Sequence, residues 1–109
     1  MTELDARLLE VLRALTPGEV VSYGDVAEDA GFPGRARAVG RLLAATDVEV
    51  PWWRVVTAGG RLVPGHEAEQ AQRLRAEGVQ VGPGRVLRAD RGRFSQADPL
   101  GSPRPPRSP

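Results

Sequence analysis

The most informative segment of the chain is Val20–Leu43, whose sequence is VVSYGDVAEDAGFPGRARAVGRLL. Ser22, followed three residues later by Asp25, has the pattern of a capping box and predicts a helix from about Tyr23 to Ala30. The arginine-bearing segment from about Arg35 to Ala45 predicts a second helix. Two short helices joined by a glycine-containing turn are typical of a helix-turn-helix, although two ordinary amphipathic helices of a small α domain show the same pattern.

Further elements are predicted on both sides of this helix pair. Apolar residues at helical spacing predict a first helix from about Glu3 to Leu15. The segments Val50–Val56 and Arg61–Val63 flank a Gly-Gly pair, which favours a β-hairpin. A last helix is predicted from His66 to Glu77. A hairpin after a helix-turn-helix forms the wing of a winged-helix domain, so the predicted fold is a small α+β winged-helix DNA-binding domain.

Length and composition limit the classes of protein. The 109 residues correspond to one domain, and the chain contains no cysteine and a single histidine. Disulfides, thiolate metal sites and cysteine nucleophiles are therefore excluded, and we expect neither a cofactor nor a metal site. The sequence is rich in Gly, Pro, Arg and Ser towards its end. We therefore expect a folded domain over residues 1–82 and a flexible tail over residues 83–109.

Charge is unevenly distributed along the chain. All fifteen basic residues are arginines, and the net charge is +1. Residues 1–34 carry two arginines against seven acids, whereas residues 35–61 carry five against two and residues 85–109 carry six against two. A nearly neutral protein can therefore present a basic face to a polyanion. No apolar stretch approaches the ~20 residues of a membrane span and the first residues lack a signal-peptide pattern, which predicts a soluble, cytoplasmic protein.

Three motifs carry a resemblance to a known family. They are PGEVVSYGDVA at residues 17–27, GFPGRARAVG at residues 31–40 and PWWRVV at residues 51–56. Together they resemble the DNA-binding domain of the O6-alkylguanine-DNA alkyltransferases, whose pattern is approximately P-x-G-x-V-x-S-Y-G-x-[IV]-A, then G-x-P-x-A-A-R-A-V-G, then P-C-H-R-V. The similarity extends through the pair Glu77-Gly78, so it covers residues 1 to about 80.

The chain departs from that family at the reactive centre. The resemblance places Trp52 where the transferases hold their nucleophilic cysteine, and Trp53 where they hold a histidine that helps to activate the cysteine through water. An indole cannot form a thiolate or accept an alkyl group by displacement, so alkyl transfer is excluded. The pattern is similar to the alkyltransferase-like proteins, which keep the scaffold and replace the cysteine, often by tryptophan. Most of them keep the histidine, which this chain lacks.

The resemblance implies a non-enzymatic function. This function is recognition of O6-alkylguanine lesions in duplex DNA by minor-groove binding and nucleotide flipping, which flags the damage for nucleotide excision repair. The implied partners are duplex DNA containing alkylated guanine, which a monomer would bind at the nucleoid, and nucleotide excision repair proteins. One alternative is a winged-helix module that binds DNA without lesion preference, as a regulatory or architectural protein. Another is an enzyme of a different reaction, for which the sequence supplies no general base.

Candidate site residues follow from the resemblance. Arg37 would enter the minor groove and occupy the space left by the flipped nucleotide, and Tyr23 would press the adjacent phosphate. Trp52 would face the lesion pocket and Trp53 the interior, because neighbouring strand residues point to opposite faces. The other candidate DNA-binding residues are Arg35, Ala38, Gly40 and Arg41. The candidate lesion pocket comprises Tyr23, Pro51, Trp52, Trp53 and Val63.

Several further residues have less specific expectations. The resemblance implies a structural role for Arg54. Glu77 corresponds to a family glutamate that orients the missing histidine, so it either accepts a hydrogen bond from the Trp53 indole or has no role. His66 is expected at the surface. The arginines of the predicted tail either strengthen nonspecific DNA binding or are simply solvated, and they include Arg85, Arg88, Arg91 and Arg93.

Overall fold

Four α-helices and five short strands make up the computed structural model, which describes residues 1–95. The helices are α1 (Glu3–Arg13), α2 (Tyr23–Asp29), α3 (Ala36–Ala45) and α4 (Glu67–Ala76). The strands are β1 (Glu19–Ser22), β2 (Val55–Val56), β3 (Gln80–Gly82), β4 (Arg85–Arg88) and β5 (Arg91–Gly92). Two 3-10 turns cover Trp52–Arg54 and Arg93–Ser95. Of the helices within residues 1–95, none combines the length and apolarity that crossing a bilayer requires.

Local sequence signals set the starts of the first helices. At α1, the Thr2 hydroxyl accepts a hydrogen bond from the Asp5 backbone N–H at 3.1 Å. At α2, the Ser22 hydroxyl accepts from the Asp25 backbone N–H at 3.0 Å, and the Asp25 carboxylate accepts from the Ser22 backbone N–H at 2.9 Å. The predicted capping box is thus confirmed, and all four predicted helices are present with ends shifted by at most two residues.

Strand β1 divides the interior into two apolar clusters. It lies between β2 and β5 and pairs parallel with both. Because strand side chains alternate, Val21 contributes to a first cluster with α1, α2 and α3, whereas Val20 contributes to a second cluster with α4 and β4. Strand β2 repeats this division with Val55 and Val56. The β1–β2 pair therefore links α2 and α3 to the C-terminal half of the described residues.

The prediction of a β-hairpin between Val50–Val56 and Arg61–Val63 is wrong. Trp52–Arg54 forms a 3-10 turn, and the extended pair Val55–Val56 runs parallel to β1. Both valines are fully buried, so burial next to β1 is favoured over a position in an exposed wing. The chain beyond the Gly-Gly turn instead bridges to β4 at one position, and β4 forms an antiparallel hairpin with β3.

The fold also continues past the boundary predicted at residue 82. Val86 and Ala89 are at most 4% exposed and belong to the second cluster, and β5 pairs with β1. The prediction of a flexible tail is therefore wrong for residues 83–95, because their Gly- and Arg-rich composition conceals two core positions. The remainder of the predicted tail, residues 96–109, lies outside the described residues.

Candidate nucleic-acid interface

Helix α3 carries the arginines of the predicted interface. Arg35 immediately precedes the helix, and Arg37 and Arg41 lie within it, all with exposed side chains. Among residues 1–95, none of these three guanidiniums takes part in an ion pair. Their forked donors are therefore free of internal acidic partners and can bind phosphates or base edges.

The small residues of α3 differ in their surroundings. Ala38 is 6% exposed and packs in the first cluster, so its side chain faces the core instead of the predicted DNA surface. Gly40 lies on the outer side, where an added methyl group would meet no atom within 4 Å. Internal packing does not require glycine at this position, whereas close approach of a partner to the helix backbone would.

A cleft of about 450 Å³ lies beside α3, within the size range of small-molecule sites. It brings together Tyr23 from α2, Trp52 from the first 3-10 turn and Val63 from the loop before α4, which are three of the predicted pocket residues. Pro51 and Trp53, also predicted there, do not line it. The other lining residues are Gly40, Leu43, Ala44, His66 and Glu69.

Sequence reasoning missed His66 and Glu69 as cleft residues. His66 is exposed, as expected, but its ring lies 5.9 Å from that of Trp52, with an angle of 67° between the ring planes. The spacing of His66 and Glu69 was an available signal, because residues three apart share a helix face. The cleft therefore has one wall of polar side chains at the start of α4 and an apolar wall from α3.

Tyr23 is the first residue of α2 and forms part of the cleft wall. Burial raises the pKa of its phenol, so the hydroxyl keeps its proton at neutral pH. A protonated hydroxyl can donate a hydrogen bond to a phosphate oxygen while the ring packs against a base in the cleft.

The side chains of the two tryptophans point in different directions, but the reason is not the strand geometry that was predicted. They lie in a 3-10 turn, where successive residues are rotated by about 120°, and not at alternating strand positions. Their ring centroids are 6.2 Å apart and their planes are nearly perpendicular, at 88°. Trp52 lines the cleft. The Trp53 ring instead contacts two guanidiniums, and the carbons of Arg54 and Arg73 lie 5.1 and 4.6 Å from its centroid.

Glu77 ties this turn to the end of α4. Its carboxylate accepts hydrogen bonds from the Trp53 indole N–H at 2.8 Å and from Arg54 Nη2 and Nε at 2.7 and 3.0 Å. It also accepts from the Gly18 backbone N–H at 3.0 Å. Burial acts to raise the pKa of Glu77, but the hydrogen bonds from Arg54, Gly18 and Trp53 outweigh it, and the pKa lies below its ordinary value. We call this group the Glu77 cluster.

The Glu77 cluster explains the structural role expected for Arg54. The residue is 9% exposed, and its remaining amino group donates to the Leu15 carbonyl at 3.0 Å. The indole N–H of Trp53 is committed to Glu77, and an indole has no lone pair with which to accept a proton. Trp53 therefore serves as a structural contact and cannot act as a general base.

Gln70 is a further residue that sequence reasoning missed. Its side chain is fully buried, whereas Ala68 of the same helix is exposed. The Gln70 amide oxygen accepts from the Val63 backbone N–H at 2.7 Å. Its amide nitrogen donates to the carbonyls of Trp53 and Val55, both at 3.1 Å. One side chain thus connects the loop that carries Val63 to the segment that carries the tryptophans.

The cleft wall carries groups that can bind a planar molecule. Within residues 1–95, no group of acidic or histidine side chains could hold a metal ion, and the whole chain contains no cysteine. The wall offers aromatic faces, a phenol hydroxyl and an imidazole, which can stack on a planar group and hydrogen-bond to its edge.

Two known proteins are similar to this chain in sequence over about three quarters of its length. A DNA base-flipping protein of Vibrio parahaemolyticus is 34% identical over 85 residues, which are 74% of this chain and 85% of that protein. Alkyltransferase-like protein 1 of Schizosaccharomyces pombe is 31% identical over 87 residues, covering 74% of this chain and 81% of that protein.

Solved structures and a family model point to the same relatives. The crystal structure of S. pombe Atl1 in complex with damaged DNA containing O6-carboxymethylguanine matches with a TM-score of 0.68 and 28% identity, over 79% of this chain and 88% of that one. The model of the 6-O-methylguanine DNA methyltransferase DNA-binding domain matches residues 3–79. Both tryptophans, α3 and Glu77 fall within that match, and the chain belongs to the family of this DNA-binding domain.

Proposed function

We propose that this protein binds duplex DNA and recognises O6-alkylguanine by turning the modified nucleotide into the cleft, without reacting with it. The observation that carries the proposal is a cleft of about 450 Å³ lined by Trp52, the residue that the resemblance places at the acceptor cysteine. A cleft that has room for a base but no cysteine thiolate can hold an alkylated base, but it cannot transfer the alkyl group to a cysteine.

Two relatives support the nucleic-acid partner. The names of the V. parahaemolyticus and S. pombe proteins refer to base flipping and to likeness to alkyltransferases, and S. pombe Atl1 has been crystallised with O6-carboxymethylguanine DNA. By analogy, α2 and α3 act as the helix-turn-helix, with the β3–β4 hairpin in the place of a wing. The protein would act as a cytoplasmic, nucleoid-associated monomer that marks lesions for nucleotide excision repair.

Arg37 and Tyr23 supply the proposed flipping step. Arg37 is exposed and without an internal acidic partner among residues 1–95, so its planar guanidinium can replace the extruded base in the stack. Tyr23 lies at the start of α2 and lines the cleft, where its hydroxyl can donate to a phosphate oxygen of the strand that is bound. Extruding a base costs a few kcal/mol, and stacking recovers about 1–3 kcal/mol per base, so contact with Trp52 can offset much of that cost.

The proposal is tested by titrating the protein against two duplexes that differ only in guanine or O6-methylguanine at one position, at fixed salt. Trp52 lines the cleft and the centroid of the Trp53 ring lies 6.2 Å from that of Trp52, so tryptophan fluorescence can report occupancy. We expect tighter binding to the methylated duplex, with both strands recovered intact. Equal affinities would favour a DNA-binding module without lesion preference.

Arg41→Ala is the matched control for Arg37→Ala, because both residues are exposed arginines of α3. We expect Arg37→Ala to reduce affinity for the lesion duplex more strongly than Arg41→Ala does. Loss of one phosphate contact should weaken both duplexes alike and reduce the salt slope by about 0.9. Similar losses from the two variants would mean that Arg37 only contacts phosphate.

A further inference from the structure

The structure separates the arginines of the C-terminal segment into two groups. Arg91 donates to the Thr16 hydroxyl and the Pro17 carbonyl, and Arg93 pairs with the Asp25 carboxylate at 2.8 Å. These two hold the last described segment against the N-terminal half. Arg85, by contrast, forms no ion pair with any acid among residues 1–95, and its only side-chain hydrogen bond in this range goes to a backbone carbonyl, that of Gly59.

Arg85 lies directly opposite a second exposed arginine. An antiparallel bridge pairs it with Arg61, and the flanking hydrogen bonds run from Leu62 to Gly84 and from Val86 to Gly60. This pattern defines a non-hydrogen-bonded pair, the antiparallel arrangement in which opposing side chains are closest. Arg61 also lacks an ion pair among the described residues. Like charges directly opposite each other destabilise a sheet, so this pair opposes folding unless an anion neutralises it.

The arginine pair lies close to the cleft. Arg61 is exposed, Leu62 is buried and Val63 lines the cleft, so Arg61 and Val63 lie on the same side of an extended segment. Two extended residues span about 7 Å, so Arg61 lies about that far along the chain from the cleft wall. Arg85 itself lies beyond residue 79, where the family match ends.

We propose that Arg61 and Arg85 form a second anion site that binds the phosphate backbone of the duplex beside the cleft. This inference rests on the proposed function, because a nucleotide can enter the cleft only if its own strand passes the cleft rim. Two guanidinium groups at one bridge can donate hydrogen bonds to phosphodiester oxygens. Binding of the phosphate anion would also reduce the repulsion between the two positive charges.

The experiment measures affinity for guanine and O6-methylguanine duplexes over a range of salt concentrations, for the wild type and for R61Q/R85Q. Each lost phosphate contact lowers the slope of log affinity against log salt by about 0.9, so the double variant should lose about 1.8 on both duplexes. The control R7Q/R13Q removes the same amount of positive charge from α1. This helix is separate from α3 and none of its residues lines the cleft, so the control should keep the wild-type slope.

Folding is checked by thermal unfolding of each variant. R61Q/R85Q should keep its unfolding midpoint, because the substitution relieves a like-charge pair and removes only one exposed hydrogen bond. The single variant R61Q keeps the hydrogen bond from Arg85 to the Gly59 carbonyl. Its salt slope should decrease by about half as much as that of the double variant.

The outcomes separate the two proposals. A slope equal to that of the wild type, or a decrease no larger than that of R7Q/R13Q, overturns the phosphate site even if lesion preference is observed. Conversely, if the wild type binds both duplexes equally, the proposed function fails. In that case the slope on the unmodified duplex still decides whether Arg61 and Arg85 contact phosphate.

Discussion

Replacing Glu77 by glutamine tests whether the Glu77 cluster holds the cleft wall in place. The carboxylate pairs with Arg54 at 2.7 Å, and the two side chains are only 14% and 11% exposed. Glutamine keeps the shape but removes the charge and leaves the Arg54 guanidinium without its counter-ion. Removing one partner of a buried pair typically costs 3–5 kcal/mol, and we expect about 3 kcal/mol because some solvent reaches the pair.

Urea and thermal unfolding measure this effect. For a domain of this size, about 3 kcal/mol lowers the unfolding midpoint by roughly 12–24 °C. Glu69→Gln is the control, since Glu69 pairs with Arg73 at 3.0 Å while both side chains are about half exposed. Exposed pairs contribute about 0–1 kcal/mol, so this variant should unfold close to the wild type.

The pH dependence follows from the lowered pKa of Glu77. A carboxylate whose pKa is lower in the folded state stabilises the fold above its unfolded pKa, about 4.3 for glutamate, and the contribution is lost as the pH falls through the folded pKa. The difference in unfolding free energy between wild type and Glu77→Gln should therefore be constant from neutral pH to about pH 5. Below about pH 4 it should shrink.

Two results would refute this reasoning. If Glu77→Gln lost less than 1 kcal/mol, or no more than Glu69→Gln, the Glu77 cluster would be no stronger than a surface ion pair. If the difference between wild type and variant persisted unchanged below pH 4, the stabilisation would not depend on the charge of Glu77.

Two further predictions concern backbone packing. Gly92→Ala should destabilise the fold by at least about 2 kcal/mol, because its φ is +90° and a Cβ would clash with the Val20 carbonyl. Gly31→Ala, at the same φ but with open space around it, should cost less in urea unfolding. Gln70→Leu should cost at least about 2 kcal/mol, because it leaves buried backbone groups unpaired, whereas Gln72→Leu on the exposed face should stay within about 0.5 kcal/mol. Equal losses within either pair of variants would contradict these assignments.

The helices were predictable because their signals are local. The Thr2 and Ser22 caps act on backbone groups three residues away, and the apolar spacing of α1 and α3 sets which face is buried. The predicted hairpin failed because the partner of Val55–Val56 is β1, more than thirty residues earlier in the chain. No turn signal specifies a parallel pairing of that kind.

The candidate site was predicted in part. Motif order identified Tyr23, Trp52 and Val63, and these residues do meet in the cleft. Gln70 was missed because a polar residue in a helix is expected at the surface, whereas here three backbone groups satisfy it in the interior. Pro51 was assigned to the pocket wall by its neighbourhood in sequence, but the 3-10 turn that follows it brings only Trp52 to the cleft.

The sequence alone determined that this member of the family cannot accept an alkyl group, because the absence of cysteine holds for any arrangement of the chain. The tertiary structure decided which side chains remain available to a partner. Glu77 reaches Gly18 across 59 positions, and Arg93 reaches Asp25 across 68, while Arg61 and Arg85 meet at a bridge without an acid. Such contacts depend on packing between distant segments. The sequence around each arginine does not indicate whether the folded chain will bring an acidic residue close to it.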